Sequence, residues 1–215
     1  MLRYVFLSDG TSDKSLIPIL DWLLLNSGLT EAFQHDWVDP ARFAIKSRAL
    51  GQRIEETLRI YPCDMLFIHR DAEKQPSQLR YDEIMEAMMA FPSQTYIGVV
   101  PIKMSEAWLL FNEEAIRAAS GNPNGRQKLD MPAKSRWEHI PDPKDSLERV
   151  LLNASGLSTH RRQKFSISDA KRRVTDYIDD FSPLRGLSSF DALERDVLAF
   201  VQSRNAQMNK KGVKQ

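Results

Sequence analysis

The sequence predicts an α/β fold in which a parallel sheet is flanked by helices and is followed by a mainly helical C-terminal part. Through the first hundred residues, short apolar runs alternate with segments of helical periodicity. One of these runs, Met65–His69, is almost wholly apolar, which is typical of a strand buried on both faces of a parallel sheet. In the second half the helical periodicity continues without further runs of this kind.

Four strands are expected in the first half. The first is Tyr4–Leu7, which ends at Ser8-Asp9-Gly10, and a weaker candidate lies at Trp37-Val38. The other two are Met65–His69 and Thr95–Val100. The intervening helices are expected along the apolar stripe Ile17, Leu20 and Leu24, around Gly51–Tyr61, and over Tyr81–Ala90. Because strands and helices alternate, neighbouring strands should run parallel.

The second half is expected to be helical. The predicted helices are Ser105–Ala119, Pro143–Leu152, Ser168–Phe181 and Ser188–Val201. The segment Gly121–Asp142 is rich in glycine and proline, and loops of this length are often functional. The chain is therefore divided into an α/β domain (1–120), a loop excursion (121–145), a helical part packed on the domain (146–203) and a disordered basic tail (204–215).

The charges are unevenly distributed. Thirty basic and 29 acidic residues give a net charge of +1, which by itself does not indicate a nucleic-acid partner. Residues 1–110, however, carry 11 basic and 15 acidic residues, whereas residues 111–215 carry 19 and 14. An acidic first half and a basic second half suit a cation and a phosphate, respectively.

Composition narrows the cellular setting. Hydrophobic residues make up 42% of the chain, which excludes a disordered protein. The lone Cys63 excludes an internal disulfide and a cysteine-rich zinc site, and it fits a reducing cytoplasm. The most apolar stretch, Leu16–Leu25, is interrupted by Pro18 and Asp21 and is shorter than the ~20 residues of a membrane span. A cytoplasmic protein without a membrane partner is expected.

Acidic residues follow two of the predicted strands. Asp9 and Asp13 come after the first strand, and Asp71 and Glu73 come after the third. Ligands of parallel sheets bind outside the carboxyl ends of the strands, and carboxylates suit Mg²⁺ or Mn²⁺. The alternative is that these residues are solvated acids in turns, and spacing alone favours that alternative.

Three segments resemble the Toprim family, whose fold is a Rossmann-like parallel sheet. Val5–Asp13 (VFLSDGTSD) is similar to the first Toprim motif, and Met65–Glu73 (MLFIHRDAE) is similar to the second. Val99–Asn112 (VVPIKMSEAWLLFN) resembles a Glu-Ala-Trp-Leu segment of Toprim-like bacterial proteins that are often encoded near phage-defence genes. The chain resembles the same group of bacterial proteins at three further places, which are Pro143-Lys144, Lys164-Phe165 and Ser188–Leu193.

The resemblance implies metal-dependent chemistry on nucleic acid. Toprim domains of topoisomerases, bacterial primases and OLD-type nucleases act with Mg²⁺. By position, Asp9 would be a general acid/base or metal ligand, and Asp71 and Glu73 would be Mg²⁺ ligands. The family usually has Glu in place of Asp9 and Asp in place of Glu73, and the glycine that commonly follows the second motif is absent. These departures keep the charges but put catalysis in doubt, because a ~1 Å displacement can cost about 100-fold in rate.

Two further groups of candidates remain open from the residues alone. Glu106 is a further metal candidate, although an acid near a helix N-terminus also simply suits the helix dipole. His69 is a candidate phosphate contact and equally a strand core residue. The candidates for phosphate-backbone contact are Lys103, Arg161, Arg162, Lys164, Arg172 and Arg173. The alternative for the basic run after His160 is a solvated helix face.

Three functions are compatible with these residues. The first is a Mg²⁺-dependent Toprim-like protein that acts on DNA or RNA phosphodiesters, as a nuclease or nuclease-like component of bacterial defence. The second is an inactive Toprim scaffold that serves as a binding or sensor subunit for an ATPase or another defence protein. The third is a small-molecule phosphohydrolase that uses the same crevice. A homo-oligomer is compatible with each.

Overall fold

A computed structural model of the chain describes residues 1–39 and 49–212, and its centre is a sheet of four parallel strands. The strands are β1 (Leu2–Leu7), β2 (Phe33–Val38), β3 (Met65–His69) and β4 (Thr95–Val99), in the spatial order β2-β1-β3-β4. The α/β class, the parallel sheet and the helical C-terminal part are thus confirmed.

The alternation of side chains along the strands assigns each residue to one of two cores. In β1, Tyr4 and Phe6 face one core, whereas Val5 and Leu7 face the other. The core that contains Tyr4 and Phe6 is here called the first core. Tyr4 is paired with Met65 of β3, so that Met65 and Phe67 extend this core. His69 follows Phe67 at a spacing of two and therefore points to the same side of the sheet.

Helices cover both faces of the sheet. A 3₁₀ turn (Thr11–Leu16) leads into α1 (Ile17–Asn26), which packs in the core of Tyr4 and Phe6. On the opposite face lie α2 (Leu50–Ile60) and α3 (Ser77–Met88). The chain thus changes faces between β1 and β3.

The C-terminal part adds to the face that carries α1. It comprises a 3₁₀ turn (Ser105–Leu109), α4 (Glu113–Ala119), a 3₁₀ turn (Lys134–His139), α5 (Pro143–Ala154), α6 (Thr159–Arg162), α7 (Ile167–Arg173) and α8 (Ser188–Gly212). Its aromatic side chains join the core of the sheet, as when Trp108 meets Phe190 edge-on with ring centroids 5.6 Å apart. None of the helices in the described ranges is long and apolar enough to cross a membrane.

Two helices predicted in the second half are interrupted. The helix expected over Ser105–Ala119 is broken, because Asn112 caps a new helix by accepting a hydrogen bond from the Ala115 N–H (2.9 Å). The helix expected over Ser168–Phe181 begins one residue earlier and ends at Arg173, where a 3₁₀ turn follows.

The helix α8 continues through residues 204–212, where a disordered tail was expected. Contacts with the N-terminal part hold this stretch: Arg204 Nε lies 2.6 Å from Glu31 Oε1, and Asn205 Nδ2 donates to the Gly28 carbonyl (2.8 Å). Such partners, distant in sequence, leave no local signal. Residues 213–215 of the expected tail lie outside the described residues.

Glu138 caps α8 from the 121–145 segment. Its two carboxylate oxygens accept four hydrogen bonds of 2.6–2.9 Å from the backbone N–H and hydroxyl groups of Ser188 and Ser189. A carboxylate at the positive end of a helix is also favoured by the helix dipole. The predicted loop excursion is thereby fastened to the last helix.

Candidate active site and basic clefts

The carboxyl ends of β1 and β3 open a crevice in the sheet. These strands are neighbours, and the chain leaves β1 towards β2 but leaves β3 in the opposite direction, towards β4. Parallel sheets bind ligands where the strand order reverses in this way. Asp9 and Asp13 follow β1 here, and Asp71 follows His69 at the end of β3. The predicted acidic residues therefore do reach one edge of the sheet.

His69 lies buried between two carboxylates. Its Nε2 is hydrogen-bonded to Asp71 Oδ1 at 3.1 Å, and its Nδ1 lies 3.2 Å from Asp13 Oδ2. The Nδ1 contact lacks the angle of a hydrogen bond and is therefore chiefly electrostatic. The side chain of His69 is fully buried, and its ring packs against Phe6.

The two carboxylates keep His69 charged. Burial alone would lower the pKa of His69, but the hydrogen bond to Asp71, the close contact with Asp13 and the negative charges of both aspartates outweigh burial and raise that pKa to about 10. Burial would raise the pKa of Asp13, yet the interactions with His69 and the Gly10 N–H bring it below its ordinary value. At neutral pH, His69 is therefore an imidazolium and Asp13 a carboxylate.

Asp71 differs from Asp13 in the sign of its pKa shift. Burial raises the pKa of Asp71, and the nearby carboxylates Asp13 and Glu106 add to this effect. The interaction with His69 opposes the shift without cancelling it. The Asp71 side chain is also 24% exposed, against 8% for Asp13. The negative charge of Asp71 is thus less well compensated than that of Asp13, and the Asp71 carboxylate is more accessible to solvent.

Backbone amides position both aspartates. The Gly10 N–H donates to Asp13 Oδ2 at 2.7 Å, at the start of the 3₁₀ turn that follows β1. The Ser105 N–H donates to Asp71 Oδ1 at 3.0 Å, at the start of the 3₁₀ turn beyond β4. Backbone groups that follow β1 and β4 therefore fix the side chains of Asp13 and Asp71.

A buried ion pair adjoins these residues. Lys171 of α7 binds Glu106, and the side chains of both are only 6% exposed. The charge of Lys171 helps to lower the pKa of Asp13, and the charge of Glu106 helps to raise the pKa of Asp71. Asp13, His69, Asp71, Glu106 and Lys171 are accordingly treated as one electrostatic unit, the crevice cluster.

Asp9 lies outside the crevice cluster. Its Oδ1 accepts a hydrogen bond from Arg53 Nη1 of α2 at 2.8 Å, and its Oδ2 lies 3.3 Å from Arg70 Nε. Arg70 in turn pairs with Glu83 of α3 at 3.1 Å. Asp9 therefore faces the α2–α3 side of the sheet, and two arginines neutralise it.

Glu73 and Lys103 meet through their backbones at the mouth of the crevice. The Glu73 N–H donates to the Lys103 carbonyl at 2.8 Å. Both residues have positive φ (55° and 66°), a conformation that is uncommon outside glycine. The Glu73 carboxylate is exposed and has neither an ion pair nor a hydrogen bond with the residues that the structure describes. Its side chain remains free for an external ligand.

The acidic residues offer Mg²⁺ a small set of ligands. Within residues 1–39 and 49–212, no group of three or more histidine, cysteine or acidic side chains has the arrangement of a metal site. Mg²⁺ often takes only one or two carboxylates together with water and substrate phosphate. Asp71 keeps Oδ2 without a hydrogen bond from described residues, and Glu73 is unpaired among them, so that the chemistry of these two carboxylates suits the ion. Asp9 and Glu106 are occupied by cations.

The predicted basic run forms a cleft of about 820 Å³ between α6 and α7, here called the first cleft. It is lined by Leu157, His160, Arg161, Lys164, Phe165, Ser166, Asp169, Arg172 and Arg173. Arg161 and Lys164 have no ion pair in the described part of the chain, whereas Arg172 pairs with Asp169. Four of the predicted phosphate contacts are thus together, while Arg162 lines a neighbouring cleft.

Three residues of the crevice cluster are only weakly marked in the sequence. Asp13 follows the same strand as Asp9, but it is Asp13 that reaches His69. His69 shares a face with Met65 and Phe67, and that alternation was a usable signal that it points into the first core. Lys171 stands beside two arginines in the sequence, and no local pattern marks its contact with Glu106, 65 positions earlier.

Comparison of the chain with protein-family models, with curated proteins and with solved structures gives no match. The likeness to Toprim domains accordingly consists of the short sequence segments named above.

Proposed function

We propose that the protein acts on nucleic-acid phosphodiesters with Mg²⁺ or Mn²⁺ at the crevice, as a nuclease or nuclease-like component of bacterial defence. One observation carries the proposal: α7 places Lys171 in the crevice cluster, and its next two residues, Arg172 and Arg173, line the first cleft. A strand held by its phosphates in that cleft would lie against the helix that carries Lys171. Phosphate contacts of this kind hold a strand without reading its sequence.

Asp71 and Glu73 are the residues proposed to hold the metal. When bound, the ion would polarise a phosphate oxygen and lower the pKa of bound water. His69 and the Ser105 N–H fix the Asp71 carboxylate through Oδ1, which leaves Oδ2 available. Asp9 is assigned a positioning role, since it holds Arg53 and Arg70, and Arg70 would meet a phosphate at the strand ends.

The test is cleavage of plasmid DNA and of RNA by the purified protein with Mg²⁺ or Mn²⁺. Asp71→Asn keeps the size of the side chain but removes its charge, and it should abolish metal-dependent cleavage. Asp82→Asn is the matched control, because Asp82 is an exposed aspartate of α3 that bonds only Gln78 among the described residues. Absence of metal-dependent cleavage by the wild type, or equal cleavage by Asp71→Asn, would refute the nuclease assignment.

A second candidate is a binding subunit without turnover. The observation that favours it is that cations of the chain itself neutralise Asp9 and Glu106, two of the four predicted metal ligands. Calorimetric titration distinguishes the candidates. Binding of Mg²⁺ that is lost in Asp71→Asn supports the enzyme, whereas binding of an oligonucleotide with no metal uptake supports the binding subunit.

A further inference from the structure

A second cleft, of about 590 Å³, lies on the other side of α6. The 121–145 segment supplies Asp130, Arg136 and Ile140 to its lining, and α5 supplies Arg149. Arg162 of α6 completes it, so that three arginines face a single acid. A cleft with this excess of positive charge suits an anion.

The three guanidinium groups are largely free to bind. Arg136 is exposed and has no ion pair or side-chain hydrogen bond within the described residues. Arg149 pairs with Asp145, but these side chains are 68% and 61% exposed, and such surface pairs contribute little. Arg162 uses Nε to donate to the Leu157 carbonyl at 3.0 Å, which orients the group and leaves both Nη nitrogens for a ligand. Two nitrogens of one guanidinium group can donate parallel hydrogen bonds to two oxygens of the same phosphate.

The two clefts adjoin. The helix α6 has only four residues, which is roughly 6 Å of helix. Consecutive residues of this helix serve different clefts, since Arg161 lines the first and Arg162 lines the second. A chain of phosphates that leaves the first cleft across α6 therefore enters the second.

We propose that the second cleft is a further phosphate-backbone site, in which Arg136, Arg149 and Arg162 continue the strand path that begins in the first cleft. This inference rests on the proposed function for the identity of the ligand as nucleic acid. It adds a binding site that lies away from the crevice cluster and that supplies affinity without chemistry.

The test is the salt dependence of binding, with a fluorescein-labelled single-stranded DNA oligonucleotide as the probe and fluorescence anisotropy as the readout. Each lost phosphate contact should reduce the slope of log K against log salt by about 0.7. Arg136→Gln/Arg149→Gln should therefore reduce the slope by about 1.4 and weaken binding roughly 60-fold at about 0.05 M salt. Both side chains are exposed, so that circular dichroism should show an unchanged fold.

The matched control removes two arginines elsewhere. Arg59 of α2 and Arg195 of α8 are exposed and line neither cleft, so Arg59→Gln/Arg195→Gln should leave the slope unchanged. An equal loss in this control would show a general charge effect and would overturn the inference.

A third variant separates the inference from the proposed function. Arg161→Gln/Lys164→Gln removes two cations from the first cleft and should weaken binding as well. If this variant weakens binding while Arg136→Gln/Arg149→Gln does not, the second cleft is not a site, and the proposed function stands. If the wild-type protein shows no salt-dependent binding, the proposed function fails and the inference fails with it.

Discussion

Replacing Lys171 by methionine removes the charge that neutralises Glu106 inside the protein, and the cost of that change can be worked out from the burial of the pair. Both side chains are 6% exposed, so that Glu106 would be left as a buried, unpaired carboxylate. Losing one partner of a buried pair typically costs about 3–5 kcal/mol. The predicted destabilisation at pH 7 is therefore about 3–5 kcal/mol.

Urea unfolding at pH 7, followed by tryptophan fluorescence, measures this cost. With a slope of about 2 kcal/mol per molar urea, the midpoint should fall by roughly 1.5–2.5 M. Lys144→Met is the control, because Lys144 is exposed on α5, and its change should stay within about 0.5 kcal/mol.

The double variant Glu106→Gln/Lys171→Met removes both charges. It should be more stable at pH 7 than Lys171→Met alone by at least about 2 kcal/mol, since no buried charge is then left unpaired. The reasoning is wrong if Lys171→Met unfolds within about 0.5 kcal/mol of the wild type, or if the double variant is no more stable than the single one.

Three further predictions follow from the same electrostatics. His69 should keep the ¹⁵N shifts of an imidazolium up to about pH 9, because its pKa is raised to about 10. The stability that the charged ring adds is complete below its unfolded pKa of about 6.5 and is lost as the pH rises towards 10. A neutral ring at pH 8 would contradict the description of the crevice cluster. Glu138→Ala should lower the free energy of unfolding by about 1–2 kcal/mol, and Glu55→Ala, at an exposed residue, is the control. The hydrogen bonds from Ser188 and Ser189 lower the pKa of Glu138 despite its burial, so this loss of stability should be full at neutral pH and fade as the pH falls below about 4.5. An equal loss at pH 3 would refute this prediction. Burial, together with the charge of Asp64, raises the pKa of Cys63 to about 11. Iodoacetamide should therefore alkylate Cys63 at pH 8 roughly 100-fold more slowly than it alkylates a free cysteine, and mass spectrometry should show normal alkylation once urea unfolds the chain. Rapid labelling of the folded protein would contradict this prediction.

The sheet could be predicted because its signals are local. Met65–His69 is apolar throughout except at its last residue, and every residue of β3 is buried. The weak candidate at Trp37-Val38 lengthens to Phe33–Val38, since β2 is an edge strand with exposed residues and carries little apolar signal. Local signals could not foresee that residues 204–212 are helical, because the contacts that hold them reach residues 28–31.

The site was harder to predict because residues close in sequence face different layers. Asp9 and Asp13 are four positions apart, but a 3₁₀ turn begins between them. Asp9 consequently meets Arg53 of α2, whereas Asp13 meets His69 on the α1 side. Spacing alone cannot show which of two acids after a strand enters a crevice.

The charges of the crevice cluster single out Asp71. Asp13, Asp71 and Glu106 contribute three negative charges, and the imidazolium of His69 and the ammonium of Lys171 compensate two of them. The remaining charge belongs at Asp71, because Asp13 has a lowered pKa and Glu106 has its own ion pair, whereas the pKa of Asp71 is raised. Asp71 is also the most exposed of the three carboxylates, at 24% against 8% and 6%. A cation entering from solvent would therefore be drawn to Asp71 first, and this is why Asp71→Asn, rather than a change at Asp9 or Glu106, is the variant that separates a metal-dependent enzyme from a binding subunit.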